Sequence, residues 1–370
     1  MKKNFSGSAA TAGVFALVLG ALFLLNLFRS PTEVSTSERR KLAQFPELTV
    51  KAVLSTGFMS KFEDFALDQF SFREGFRQMK SFLLYNVFRQ TDKNGLYVVN
   101  GSISKFTAMD EKSFLEAKTK LETLIAQYCG NSASVTFALI PDKNYYMSAL
   151  AHSPAFDYER IRAILSSVEG AEYVELYQGL NLEDYYKTDL HWDQTRLQGA
   201  IALLGDALGV PMDISGLSAE TLGQFAGAYY GQAALPLDKD TLSILTGDLL
   251  DGVTVTALNE KTLQMEPVPL YEREAFTGVD PYDVFIGGAV PLVELNNPNA
   301  STDKELVLFR DSFGSSIAPL LSIGYAKVTL VDLRYLASPL LGDYVNFEAA
   351  DVLFLYSPEI LNNSSVLLVK

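Results

Sequence analysis

The chain has 370 residues, 48% of them hydrophobic and 20% charged, which is too apolar for disorder and too charged for a polytopic membrane protein. Its formal charge of -14 opposes binding to a phosphate backbone, so nucleic acid is not an expected partner. One cysteine, Cys129, excludes an internal disulfide, and only two histidines, His152 and His191, exclude a Cys- or His-rich metal site.

Lys2 and Lys3 precede an uncharged apolar run from Ala9 to Phe28. About 20 apolar residues suffice to cross a bilayer as a helix, and a cleaved signal core is usually shorter. No small-x-small cleavage site follows, so residues 1–30 read as a cytoplasmic tip and uncleaved anchor, with a cleaved signal as the alternative. Lys2 and Lys3 favour an inside N-terminus, against the pull of Arg29, Arg39, Arg40 and Lys41 beyond the run. Residues 31–55 read as a stalk. The body is expected over 56–370.

Residues 56–90 carry a helical stripe rich in Phe, including Phe58, Phe62, Phe65, Phe70, Phe72 and Phe76, which predicts an amphipathic segment packed on a core. Ser134–Ile140 and Tyr173–Tyr177 predict buried strands, with a helix over Tyr158–Val168 between them. Leu197, Ile201, Leu204 and Leu208 share one helical face, with Asp193 as N-cap and Gly209 as stop. Glu305–Phe309, Lys327–Asp332 and Val352–Tyr356 predict further strands. Such runs, spaced by helices, indicate an α/β fold with a mostly parallel sheet covered on both faces. Residues 210–300, with their Thr-Val alternation near 252–258, predict a β-rich insertion or lid hanging from the carboxyl edge of the sheet.

Two short motifs carry chemistry. Thr188-Asp189-Leu190-His191-Trp192-Asp193 precedes a helix, and Arg310-Asp311-Ser312-Phe313-Gly314 falls where a strand meets a helix. A serine at such a turn projects its hydroxyl at the carboxyl edge of a parallel sheet, beside the amides of a helix N-terminus. A serine hydroxyl needs a base to act as a nucleophile, and His191 can supply it. Asp189 can hold the other ring nitrogen. Bland alternatives stand beside each reading: Ser312 as a helix cap, Asp189 as a turn former, and His191 with Trp192 as a hydrogen-bonded core pair. His152, in a loop, reads as a surface or structural residue and Cys129 as a small buried residue. No dense Asp pattern exists to bind a metal, and no cofactor is expected.

The two motifs together resemble the DHHW family, a group related to SGNH-type acyl hydrolases and to the alginate O-acetyltransferase proteins. Weaker matches lie in order along the chain. They are Glu38-Arg39-Arg40-Lys41-Leu42-Ala43 with Phe45-Pro46, Phe62-Glu63, Asp68-Gln69-Phe70 with Arg73, and Pro141 with Lys143. Tyr186-Lys187 before Thr188, Phe225–Tyr230, Tyr282–Gly288 and Val331-Asp332-Leu333-Arg334-Tyr335 complete the series.

That resemblance implies a circularly permuted SGNH-like three-layer fold, because the Asp/His segment precedes the Ser segment. It implies catalytic Asp189, His191 and Ser312, with Asp311, Arg310, Trp192, Thr188, Lys143 and Arg334 in support. Trp192 is expected beneath the Ser–His pair, holding the ring. Arg310 is expected to screen a carboxylate or bind an anionic glycan, and Asp311 to fix the turn through backbone amides. Leu190 replaces the first His of the family pattern, Arg310 stands where SGNH enzymes have a Gly but where basic residues are familiar in the DHHW group, and Ala289 replaces an Asn that would donate to an oxyanion. The implied function is O-acetylation of a cell-envelope polysaccharide by a membrane-anchored, extracytoplasmic enzyme working with a membrane-bound O-acyltransferase. Tyr229 and Tyr230 are candidates for stacking on sugar rings. A carbohydrate esterase with the same triad, or a non-catalytic module that binds an envelope glycan or partner, is the alternative.

Overall fold

The computed structural model describes residues 7–35, 37–53, 56–90 and 92–370. Lys2 and Lys3 lie outside the described residues. The chain divides into two compact units, Met1–Gln90 with Gly231–Pro236, and Thr91–Tyr230 with Leu237–Lys370.

In the first unit, helix α1 spans Gly7–Phe28 and has no buried residue. Among the described residues it is the one helix long and apolar enough to cross a membrane, and its length and composition suit an anchor or a signal sequence. Helices α2, Thr56–Asp68, and α3, Arg73–Phe82, follow, and a π-helical turn over Leu83–Val87 continues α3. The Phe stripe expected to pack on a core makes its ring contacts within this unit. Phe45 meets Phe62 and Phe65 edge-on, with centroids 6.0 and 5.3 Å apart, and Phe58 stacks on Phe62. The segment 56–90 therefore belongs with the unit that carries α1, not with the α/β body.

The second unit begins with a hairpin, β1 Leu96–Val99 and β2 Ser102–Lys105, and helix α4, Glu111–Tyr128, capped by the Asp110 carboxylate. Neither is among the elements expected from sequence. The sequence continues through β3 (Ser134–Leu139), α5 (Lys143–Ala151), α6 (Tyr158–Leu165), β4 (Glu172–Glu175) and α7 (Gln198–Leu208). Asp193 caps a short 3₁₀ turn, Gln194–Arg196, ahead of α7, and Gly209 ends α7 in a left-handed conformation at φ 61°. A two-stranded ribbon, β5 (Ser218–Phe225) and β6 (Asp240–Thr246), follows. The remaining strands are β7 (Thr254–Asn259), β8 (Gln264–Val268), β9 (Leu292–Asn296), β10 (Glu305–Arg310), β11 (Lys327–Val331) and β12 (Asp351–Tyr356). Helix α8 (Phe313–Leu321) lies between β10 and β11, and α9 (Pro358–Leu361) follows β12.

Eight strands form one sheet in the order β8-β7-β9-β11-β10-β12-β3-β4. The five from β11 to β4 are parallel, as expected, and β10 lies within their interior. The region 210–300 differs from the expected lid. Its strands β7, β8 and β9 join the main sheet antiparallel, with β9 paired to β11 from Leu292 opposite Val331 onward. Only β5 and β6 form a separate ribbon. The three added strands cover what would otherwise be the open edge of β11, a liability for any sheet.

Alternate residues of each central strand feed two cores. Leu306, Leu308, Leu353 and Leu355 pack with α7 and α8, while Val307, Phe309, Val352 and Phe354 pack with α4 and α6. This is the three-layer α/β/α arrangement. It presents the carboxyl ends of β3, β10 and β12 side by side, where open sheets of this kind hold their sites.

Candidate active site

Strand β10 ends at Arg310, and α8 starts at Phe313, so Ser312 sits at the turn between them. Ser312 has ordinary helical dihedrals, φ -63° and ψ -25°, and its side chain makes no capping bond to α8. Its Oγ lies 2.7 Å from Nε2 of His191 instead. On the other side of the ring, His191 Nδ1 lies 2.7 Å from Asp189 Oδ1, which also accepts the His191 amide at 3.0 Å. Asp189 is wholly buried, and its second oxygen accepts the Ala228 amide at 2.7 Å. The Ser312 amide has no acceptor among the described residues.

The segment that carries Asp189 and His191 is fixed from three sides. Asp240, at the start of β6, accepts the amides of Lys187 and Thr188 at 2.7 Å each and the Thr188 hydroxyl at 2.5 Å. The Gly227 amide donates to the Thr188 hydroxyl at 2.9 Å, and a Cβ on Gly227 would collide with the Thr188 carbonyl. From below, the buried Lys143 Nζ donates to the carbonyls of Tyr186, Lys187 and Asp189 at 2.7, 2.9 and 3.0 Å. Burial pushes the Lys143 ammonium down to about 7, although three carbonyls match the three donors of its charged form.

The ring of His191 stacks on Tyr282 at 3.8 Å, nearly parallel, and meets Phe313 at 4.9 Å. Trp192 was expected under this ring. It lies one step away, packing edge-on against Phe313 and donating its indole N–H to Ser316 Oγ at 2.8 Å. Tyr282 OH donates to the same Ser316 oxygen at 2.7 Å, so a single hydroxyl on α8 ties the residue beneath His191 to the residue after it. Residues 187–191 bend sharply, with the His191 amide turned onto the Asp189 carboxylate, and this bend sends Trp192 toward α8 instead of under the ring.

Arg310 is wholly buried and unavailable to a glycan. It pairs with Asp332 at 3.3 Å and donates to the carbonyls of Gly288 and Val290 at 3.3 and 3.2 Å, thereby holding the loop that contains Ala289. Burial lowers its pKa, and Asp332 opposes the shift. Arg334 forks onto both oxygens of Asp332 at 2.9 and 2.6 Å, so it supports Arg310 and does not touch Ser312, His191 or Asp189. Asp311 behaves as expected: its two oxygens accept the amides of Phe313 at 3.0 Å and Ser357 at 2.8 Å. That second bond links the Ser312 turn to the exit of β12. Ala289 is exposed and brings no polar side chain.

Beyond β12 and β3 lies a buried carboxyl pair. Asp142 caps α5 through the Tyr145 amide and accepts the Tyr158 hydroxyl, while its Oδ2 and the Oε2 of Glu359 are both buried without a hydrogen-bond donor. Burial raises both carboxyls above their ordinary values, and they interact directly. Two orphaned carboxyl oxygens of this kind are satisfied by one shared proton.

Outside this cluster, Tyr229 is buried, which removes it as a sugar platform, and Tyr230 is half-buried. His152 closes α5 in a left-handed conformation, a structural role. Burial pushes the Cys129 thiol up to about 11. The described residues hold no group of three or more potential metal ligands.

No family model matches the chain, and no curated protein does. Solved structures do. A DHHW family protein from Eubacterium siraeum superposes with a TM-score of 0.60 at 20% identity, over 75% of this chain and 95% of that one. The chain shares the fold of this DHHW family protein. Bacillus cereus PatB1 has the same fold, with a TM-score of 0.56 at 17% identity, over 72% of this chain and 96% of its own. PatB1 carrying a sulfonyl adduct matches with a TM-score of 0.58 at 17% identity, over 74% of this chain and 98% of its own.

Within this DHHW-type fold, Ser312, His191 and Asp189 are brought into contact from two distant motifs. Thr188, Lys143 and Asp311 brace them, Trp192 braces α8, and Arg310 with Arg334 fixes a neighbouring loop. Sequence reading missed Asp240, Tyr282 as the ring support, Ser316 and the Ala228 amide. None of these lies in a local pattern; each reaches the site from a separate element.

Proposed function

We propose that this chain is a membrane-anchored, extracytoplasmic serine acyl-transfer enzyme. Ser312 is the nucleophile, His191 the general base and then acid, and Asp189 the group that orients His191. The observation that carries this reading is the continuous relay of 2.7 Å contacts from Ser312 Oγ through the His191 ring to Asp189.

In the first half-reaction Ser312 Oγ gives its proton to His191 Nε2 and bonds to the carbonyl carbon of an acyl ester. The oxyanion that develops meets the unspent Ser312 amide at the N-terminus of α8. Collapse breaks the bond to the leaving alcohol, which takes the proton back from His191. In the second half-reaction an acceptor hydroxyl gives its proton to His191 and attacks the acyl-serine, and Ser312 is released with its own proton restored. We take the acyl group to be acetyl and the acceptor to be a hydroxyl of a cell-envelope polysaccharide, with a membrane-bound O-acyltransferase as the supplier. Water in place of that hydroxyl gives an esterase. The sulfonyl adduct of B. cereus PatB1, which shares the fold, supports the presence of an activated nucleophile.

One observation favours a second reading. Ala289 brings no side-chain donor to an oxyanion, which suits a binding module that keeps the fold without turnover. Steady-state cleavage of an acetyl ester decides between them. Turnover that disappears in Ser312→Ala supports the enzyme, and equal rates in both proteins support the binding module.

A further inference from the structure

Helix α3 is turned inside out for a water-soluble helix. An amphipathic helix on a soluble protein points its apolar face inward. Here the polar face is inward. The side chains of Arg73 and Arg77 are only 20% and 19% exposed, and both pair with Glu38 at 2.9 Å. Arg77 also donates to the Gly231 carbonyl at 2.6 Å, and the buried Ser81 hydroxyl donates to that of Ala233 at 2.7 Å. The outward face is apolar: Phe72 is 64% exposed, Phe76 43%, Met79 53% and Leu83 39%. These four recur at helical spacing, so they form one stripe and not scattered exposed residues.

The position of this stripe along α1 identifies what covers it. With 22 residues, α1 is about 33 Å long, close to the roughly 30 Å hydrocarbon core of a bilayer. Asn26 lies in its last turn, and its Oδ1 accepts the Ser71 amide at 2.7 Å. Gln69 exchanges two 2.9 Å hydrogen bonds with the backbone of Thr32. The corner between α2 and α3 is therefore pinned at the end of α1, at the depth where a spanning helix leaves the membrane. A groove of about 660 Å³ runs from that corner along α1, with Leu19, Leu22 and Phe23 on one wall and Phe62, Phe65 and Phe70 on the other. Leu19 stands about 10 Å before Asn26 along the helix axis, so the groove reaches the depth of acyl chains.

We propose that α2 and α3 form an interfacial wedge. The Phe72–Leu83 stripe is bedded in the lipid leaflet from which α1 emerges, and an acyl chain occupies the groove between α1 and α2. The half-buried arginines pair with Glu38 within the protein, so apolar contact with lipid, not anionic headgroup attraction, holds the wedge. The proposal rests on α1 being a membrane span, and its test separates the two claims.

The full chain, with Cys129→Ala, is reconstituted in vesicles of phosphatidylcholine and phosphatidylglycerol. A nitroxide is attached at one of three positions: Met79→Cys in the wedge, Leu17→Cys in the middle of α1, or Lys112→Cys on the exposed surface of the second unit. Collision rates with oxygen, which concentrates in lipid, and with a water-soluble nickel chelate are then compared. The wedge predicts that oxygen dominates at 79 and 17 and the nickel chelate at 112. A label at 79 that meets the nickel chelate, while 17 remains in lipid, overturns the wedge and leaves the span intact. A label at 79 shielded from both reagents overturns it in favour of a protein partner or a second copy. A label at 17 that meets the nickel chelate overturns the span, and the wedge with it.

Discussion

The Ser312 hydroxyl and Nε2 of His191 lie 2.7 Å apart although 121 positions separate them in sequence. Only the parallel order of β10, β12 and β3 and the fixed segment 186–191 bring them together. If that contact is the start of a proton relay, Ser312→Ala and His191→Ala each remove about 10⁴–10⁶ of acyl transfer or ester cleavage. The double variant should lose little more than either single one, because the members act as a unit. Steady-state rates on an acetyl ester, with circular dichroism to show that the fold persists, check this.

Asp189→Asn should leave the fold intact and lower kcat by about 10⁴. The amide presents an N–H₂ donor to the ring nitrogen or to the Ala228 amide, and either choice favours the wrong imidazole tautomer or leaves a donor unmet. An unchanged kcat would remove Asp189 from the relay.

The brace from Gly227 and Asp240 is a positioning device, so its loss should act on rate more than on substrate affinity. Gly227→Ala pushes against the Thr188 carbonyl and should pull the Ala228 amide from Asp189. A tenfold or larger fall in kcat with nearly constant KM is the expected outcome, since misplacement by about 1 Å can cost roughly 10². Asp240→Ala leaves the Lys187 and Thr188 amides and the Thr188 hydroxyl without their acceptor. It should cost about 1–3 kcal/mol for each donor left buried, read from chemical denaturation.

Arg310 should behave as a structural cation. Arg310→Met leaves Asp332 with one partner instead of two and removes the guanidinium bonds to the carbonyls of Gly288 and Val290. A loss of about 3–5 kcal/mol in unfolding free energy is expected. The ratio of activities on neutral and anionic acceptors should not change; a selective loss on anionic acceptors would return Arg310 to substrate binding.

The Asp142–Glu359 pair gives a pH signature to stability. Burial raises both carboxyls, and the charge of Asp142 raises Glu359 further, so the folded state holds protons that the unfolded chain has released. Stability contributed by a raised carboxyl is present below its unfolded value and is lost as pH rises through its folded value. For Asp142 that window runs from its ordinary 3.8 to about 6, and for Glu359 it starts at 4.5 and extends upward. Unfolding free energy should therefore fall across this range in the native chain. Glu359→Gln, which supplies a permanent donor to Asp142, should flatten that fall.

Much of the site was legible because two motifs state their chemistry locally. The run Glu305–Phe309 and the Arg310-Asp311-Ser312 that follows show a strand that stops and a hydroxyl at its end. Asp189 and His191, two apart, place a carboxylate within reach of an imidazole, although a bend and not the expected extended segment brings them together. The strand-helix alternation likewise announces the parallel half of the sheet. The antiparallel half was less legible. The alternation in Thr254–Asn259 shows a half-exposed strand, but not which sheet it joins, and the answer depends on pairing with β9 and through it with β11. Tyr282 and Asp240 were hidden for a related reason, since each reaches the site from a separate loop or ribbon. The Phe stripe of 56–90 shows an amphipathic segment, but amphipathicity does not say whether the apolar face meets a protein core or something outside the chain.

The most direct test of the central claim is reaction of the folded chain with an arylsulfonyl fluoride, followed by intact-mass and peptide mass spectrometry. The account predicts a single sulfonyl group on Ser312, formed at a rate that collapses in His191→Ala and falls in Asp189→Asn. A folded protein whose Ser312 stays unmodified, or one labelled equally fast without His191, would contradict it.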